Sequence, residues 1–197
     1  MIPETPLDAY VALVLAGGQA IRLGGFDKAS VEIDGRSLLA HALEAVIDAS
    51  EVVVVGEQVS TDRPVTFVVE SPRWGGPVAG LLTGLDALLR RTPWVAVLAV
   101  DMPWVTSATF RRLRTAAVGH DGAVLVDPDG RRQLALVVER DRLEAVRPDH
   151  EGQHNHPLHR LLARLDLVEV PAEGREHRDI DTWSDLREGR ESQDAPR

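Results

Sequence analysis

Short, continuous apolar runs bounded by glycine, proline or aspartate alternate along this chain with segments of helical period, and that alternation limits the fold more than any other feature. Successive side chains of a strand point to opposite faces of its sheet, so a strand that is apolar at every position must be covered on both sides. Parallel strands need crossovers long enough to hold a helix, and those helices provide the cover. The chain is therefore expected to be α/β, one three-layer domain with a mostly parallel sheet of about seven strands and helices on both faces. The expected strands are 11–16, 52–55, 65–69, 94–100, 123–126, 134–138 and 167–170. Helical period predicts a helix opening at Ser37, with Leu38, Leu39, Ala42, Leu43, Val46 and Ile47 on one stripe, and others over 78–90, 107–117, 143–147 and 158–165. Thr182 and Asp185 have the spacing of a capping box, so a last short helix should start there.

At 197 residues, with 44% hydrophobic and 27% charged, the chain has the length and composition of a single packed domain over 1–197, in which 189–197 read as a frayed tail. A net charge of −9 argues against capture of a nucleic-acid backbone, which needs clustered cations to displace counterions. The absence of cysteine removes disulfides, thiolate nucleophiles and cysteine-ligated metals. The opening MIPETPLDAY has neither the basic nor the apolar region of a signal peptide, and no apolar run approaches the roughly 20 residues that span a bilayer. No membrane contact is expected, and the cytoplasm is the expected location.

The first strand runs into a glycine-rich loop, VALVLAGGQAIRLGGFDKAS over residues 11–30, which carries Arg22 and Lys28. Glycines let successive backbone N–H groups turn toward an anion, while arginine offers a fork of donors and lysine a point charge. These are the parts of a polyphosphate cradle. The Walker loop would need Gly-Lys-Ser/Thr at its end and the dinucleotide fingerprint would need G-x-G-x-x-G opening into a helix; neither is present. The competing reading is a surface loop whose two cations are solvated. Further along, Gly75, Gly76 and Pro77 make a turn into the helix from Val78, whose N-terminus can favour an anion. Asp101 falls at the end of the strand over 94–100, the edge where α/β sheets bind ligands, and one or two carboxylates completed by phosphate oxygens and water suit Mg²⁺. His154, His156 and His159 straddle Pro157 without zinc-site spacing and read as a polar loop.

Leu15-Ala16-Gly17-Gly18, then Arg22, Gly24-Gly25 and Asp27-Lys28, resemble the signature of the molybdenum cofactor guanylyltransferases, and the resemblance extends over nearly the whole chain. It implies a Rossmann-like nucleotidyltransferase fold in which Leu15, Ala16, Gly17 and Gly18 meet the nucleotide through their backbone, Arg22 and Lys28 its phosphates, and Asp101 the metal. It also implies a GTP contact at Glu70, where relatives usually carry Asp, and a G-P-x-x-G wall from Gly76, Pro77 and Gly80. The closing segment Arg178 to Leu186 resembles the family's last motif, with Asp179 and Asp181 where relatives often carry amides; Asp181 either adds a second carboxylate to the metal or only precedes the helix cap. Arg131 and Arg132 either grip the acceptor's phosphate or are solvated charges of a hairpin, and Asp179 is a further candidate contact to the acceptor. The implied substrates are GTP and the molybdopterin cofactor, the implied cofactor Mg²⁺, and the implied protein contacts transient docking with enzymes that make or receive the cofactor. A cytidylyltransferase, a guanylyltransferase of another phosphorylated metabolite, or an inactive nucleotide-binding regulatory subunit are the alternatives.

Overall fold

The computed structural model describes residues 9–17, 28–71, 75–149, 153, 156–182 and 184–187. Strand β1 spans Tyr10–Leu15; after a 3-10 turn over Lys28–Ser30 come β2 (Glu32–Ile33), β3 (Arg36–Ser37) and helix α1 (Leu38–Ala45). Then follow β4 (Val52–Val55), β5 (Thr66–Val68), α2 (Pro77–Ala87), β6 (Trp94–Ala99), α3 (Ser107–Ala116), β7 (Gly122–Val126), β8 (Arg132–Glu139), α4 (Arg140–Ala145), α5 (Leu158–Leu162) and β9 (Leu167–Pro171). The main sheet has seven strands in the order β5-β4-β1-β6-β8-β7-β9. Its neighbours are parallel except at β8, which runs antiparallel to β6 and β7. All seven expected strands are present, their edges moved by one or two residues at most.

Pleating divides the apolar strands between two cores. Val11 and Leu13 of β1 turn with Val53, Val55, Val95 and Val97 toward α2, and toward Leu143 of α4 and Leu161 of α5. Tyr10, Ala12 and Val14 turn with Val52, Val54, Ala96 and Leu98 toward α1 and toward Phe110 and Leu113 of α3. Three layers result, with helices on both faces. Each fully buried Val, Leu, Ile or Phe contributes about 1.5–3 kcal/mol relative to exposure. Gly84 lets α2 lie close on the sheet, since a Cβ there would meet Val55 Cγ2 at 2.8 Å.

Helix starts follow the capping chemistry. The Ser37 hydroxyl accepts from the Ala40 N–H at 3.1 Å, and Thr106 forms a reciprocal capping box with Thr109 at the head of α3. The Thr182 amide donates to Asp185 Oδ2 and the Asp185 amide to the Thr182 hydroxyl, so the expected box at the last turn is also formed. Helix ends differ from expectation. α2 stops at Ala87 rather than 90, because Leu88 is extended and the Glu51 carboxylate accepts the N–H groups of Leu89 and Arg90. α4 begins at Arg140, three residues earlier than expected, directly off the end of β8, where Arg140 is buried and its guanidinium donates to the Arg90 carbonyl. α5 ends at Leu162 instead of 165, although Leu165 is still buried. The hairpin β2-β3 was not expected. Asp34 (φ 54°) and Gly35 (φ 73°) form its two-residue turn, which needs left-handed backbone at both positions.

At Gly122 in β7 an added Cβ would stand 2.3 Å from the Val137 carbonyl oxygen, which backbone pairing holds in place. Gly122→Ala should therefore lower unfolding stability by about 2–3 kcal/mol, measured by urea denaturation.

Candidate active site

The carboxyl ends of three adjacent parallel strands, Val55 of β4, Leu15 of β1 and Ala99 of β6, open into one cleft of about 370 Å³. From β1 the chain first builds outward through β4 and β5, then returns to add β6 on the other side, so the cleft lies where the strand order reverses. Five of the six β1 residues are buried; Leu15, only partly covered, faces the cleft. One wall is the start of α2. Gly76 caps it at φ 87°, a conformation that favours glycine, and Pro77 occupies the first turn, where its missing N–H costs nothing.

Seven of the expected residues line this cleft: Leu15, Gly17, Glu70, Gly76, Pro77, Gly80 and Asp101. Ala16 sits just behind it, 6% exposed, its N–H bonded to the Val55 carbonyl. Gly80 keeps the wall open beside Glu70, whose Oε2 would lie 3.6 Å from a Cβ on that glycine. Val55, Ala99 and Leu134 also line the cleft and are not among the expected site residues. Val55 and Ala99 are the last residues of their strands, a signal that was available. Leu134 depends on the antiparallel placement of β8, which apolar patterning does not reveal.

Asp101 of the cleft is joined to two distant parts of the chain. Lys28 Nζ donates to Asp101 Oδ2 at 2.9 Å and to Asp181 Oδ1 at 2.5 Å, in a partly buried bridge. The Ile180 N–H donates to the Asp101 carbonyl at 2.9 Å, and the Asp181 N–H to Asp185 Oδ2, so backbone contacts carry Asp181 to the site. Asp181 thus precedes a helix cap and also turns its carboxylate to the lysine. Burial works against the charge on Lys28, but the two carboxylates outweigh it and hold its pKa above the ordinary lysine range. Burial first, then the charges of Asp181 and Asp101, push the Asp179 carboxyl above the usual carboxylate range.

The remaining expected residues are less central. Arg131 is exposed on the β7-β8 turn, which Asp127 organises by accepting the Asp129 and Arg131 N–H groups. Arg132 already belongs to β8, and its Nε pairs with Glu169 of β9 at 3.0 Å. Both lie at the same sheet edge as the cleft without lining it. Trp104 stacks under the Arg175 guanidinium, 4.0 Å from the ring centre. Gly18, Arg22, Gly24, Gly25, Asp27, His154 and the 189–197 tail lie outside the described residues. Among the described residues no three carboxylates or histidines gather as a metal cluster, and no helix is long and apolar enough to cross a membrane.

Doubly wound α/β proteins bind nucleotides at this point of the sheet, and by topology the chain is one of that class. Residues 12–176 match the MobA-like NTP transferase domain, and the chain belongs to that family. A probable molybdenum cofactor guanylyltransferase of Opitutus terrae is 37% identical over 179 residues, covering 85% of this chain and 87% of the relative. In three dimensions the chain is similar to molybdopterin-guanine dinucleotide biosynthesis protein A of Archaeoglobus fulgidus, with a TM-score of 0.68 and 23% identity over 92% of this chain and 97% of that one. A Mycobacterium tuberculosis protein solved in complex with manganese superposes with a TM-score of 0.72 and 20% identity, over 93% of this chain and 99% of that one. At such identities the two structures speak to the fold.

A pKa raised in the folded state stabilises the fold below the unfolded value and ceases to do so as pH climbs through the folded one. The Lys28 bridge should thus contribute fully at neutral pH and fade above about pH 10.4, the free lysine value. Urea denaturation of the wild type between pH 8 and 11 should show this loss, and Lys28→Met, which has no ammonium to titrate, should show a flatter profile.

Proposed function

We propose that this chain transfers GMP from GTP to the terminal phosphate of molybdopterin cofactor, releasing pyrophosphate and forming the guanine dinucleotide cofactor. The observation that carries the proposal is the lysine bridge between two aspartates, one of which lines a cleft at the carboxyl ends of β4, β1 and β6. Family membership and the name of the Opitutus relative support the same reaction. The whole chain works as one domain in this reading, in the cytoplasm, with no nucleic acid among its substrates.

The acceptor's phosphate monoester is already ionised at neutral pH and attacks the α-phosphorus in line, so its oxygen forms the new P–O bond as the bond to pyrophosphate breaks. No covalent enzyme intermediate is needed, and the protein's task is alignment and neutralisation of charge. Leu15, Ala16, Gly17 and Gly18 present backbone to the nucleotide. Glu70, Gly76, Pro77 and Gly80 form the wall against which the guanosine lies, and a carboxylate at Glu70 suits the N–H groups on the edge of guanine. The start of α2 adds N–H donors and its dipole. Lys28, with Arg22, brings positive charge to the triphosphate. Asp179, whose carboxyl feels the charges of Asp181 and Asp101, would meet the acceptor, with Arg131 and Arg132 at the same edge of the sheet.

The donor set fits a divalent cation. Oxygens of Asp101 and Asp181 face one point, where the Lys28 ammonium meets both, and one or two carboxylates suit a small hard ion whose shell phosphate and water would complete. Mg²⁺ is the proposed ion, and the manganese held by the Mycobacterium protein supports divalent-metal use. When bound it would offset negative charge on the phosphates.

Purified protein with Mg²⁺ should release pyrophosphate with GTP plus molybdopterin cofactor, and not with CTP or ATP. Asp101→Ala should reduce that rate about a hundredfold or more while far-UV dichroism stays unchanged. Turnover with CTP alone among the nucleotides would move the donor, and GTP binding without release under any pairing would favour a regulatory subunit.

A further inference from the structure

Between the end of β9 and the last helical turn, residues 172–181 cross the carboxyl edge of the sheet as a strap that brings Asp179 and Asp181 to the bridge. The strap is tied to the body at three places. The Ala172 N–H donates to the Val126 carbonyl at 2.9 Å, and the Ile180 N–H to the Asp101 carbonyl, with the Ile180 side chain fully buried. Midway, Glu176 turns inward to 6% exposure and meets α3, more than 60 residues away in sequence. The Arg112 guanidinium donates to both Glu176 oxygens, at 3.0 and 2.8 Å, and the Thr109 hydroxyl donates to Oε1 at 2.5 Å. The Glu173 N–H also donates to Oε2, at 2.7 Å, and Arg112 reaches the Glu173 carboxylate and the Pro171 carbonyl besides.

A buried carboxylate is costly unless it is paired and fully hydrogen-bonded, and a greasy side chain could have filled the same space. Burial raises the pKa of Glu176, but the bonds from Arg112 and Thr109 overcome that and hold it below the usual carboxylate range. What an ion pair with forked geometry adds over an apolar plug is a fixed register: Glu176 can meet Arg112 and Thr109 together in only one placement of the strap. The Ile180 N–H, which donates to Asp101, and the Asp181 carboxylate, which accepts from Lys28, follow four and five residues later.

We propose that Glu176, held by Arg112 and Thr109, is a positioning residue for the transfer reaction, setting the strap so that Asp181 reaches Lys28 and Asp101. This rests on the proposed function and adds a residue to it that touches neither nucleotide nor metal. Misplacing a catalytic group by about 1 Å can cost up to a hundredfold in rate. Glu176→Gln, which keeps the size and the Thr109 contact but weakens the pair with Arg112, should lower kcat about tenfold at a temperature well below its Tm while KM for GTP changes about twofold or less. Arg112→Lys, retaining the charge, should lose less than Arg112→Met. Amide exchange by mass spectrometry should quicken over 177–182 in these variants and stay slow in β1 and β6.

A fall in Tm with kcat of the folded enzyme unchanged and no local quickening would overturn the inference, leaving Glu176 a stabilising residue only. If Glu176→Gln does not fold, Arg112→Lys against Arg112→Met decides by the same readouts. If the wild type releases no pyrophosphate from any nucleotide, the proposed reaction fails; exchange over 177–182 then judges the strap alone, and unchanged protection there sinks the registering role as well.

Discussion

Strand β1 is the member on which the site depends. It is the middle of the parallel portion, hydrogen-bonded to β4 on one side and β6 on the other, and its side chains enter both cores. Burial on both faces and along both edges leaves it no freedom to shift, since a slip of one residue would exchange its two apolar sets between the cores and break both ladders. Its carboxyl end is correspondingly rigid, and the Leu15 carbonyl, accepting the N–H of Val100, fixes where the chain leaves β6 toward Asp101. A carboxylate at a strand end is well placed for phosphate chemistry because the strand beneath it cannot yield.

Bringing Asp101 and Asp181 close to each other would be repulsive without a cation between them, and Lys28 supplies one. The lysine is anchored in turn by the 3-10 turn over Lys28–Ser30, where the Val31 N–H donates to the Lys28 carbonyl and Ala29 is buried against the core. The bridge joins segments separated by 73 and 153 residues, so it closes only when the sheet, the turn and the strap are all in place. Such a contact adds modestly to stability, as partly exposed ion pairs do. Its worth is that it assembles the charges.

Much of this was legible in the sequence, and the successes have one physical source. The seven strands stood out because burial on both faces forces continuous apolar runs, and α1 and α3 because Ser37 and Thr106 are side-chain caps that act on their own neighbours. Gly76, Pro77 and Asp101 could be placed because strand ends and helix starts are set by local chemistry, whereas Glu70 and Gly80 came from the family resemblance. Errors fell where a distant partner decides. Glu51 ends α2 early, and Arg140 starts α4 early by docking on Arg90; neither relation is visible in a window of a dozen residues. The β2-β3 hairpin is a different matter, since Asp34-Gly35 is a strong local turn signal but two-residue strands carry no periodicity to flank it.

Asp181 shows why role and place separate. From sequence its two readings, helix-cap neighbour and second carboxylate for the metal, compete; in three dimensions it does not only precede the cap, because its backbone N–H serves Asp185 while its side chain turns to Lys28. The choice between them was unresolvable locally, since it depends on the strap's path across α3. That path is drawn by Glu176 and Arg112, whose charges read as ordinary surface residues at α/β composition. A buried ion pair between separate elements leaves no periodic trace, yet it ties down the strap whose Asp181 meets Lys28, so the least legible residues here are those that give the legible ones their geometry.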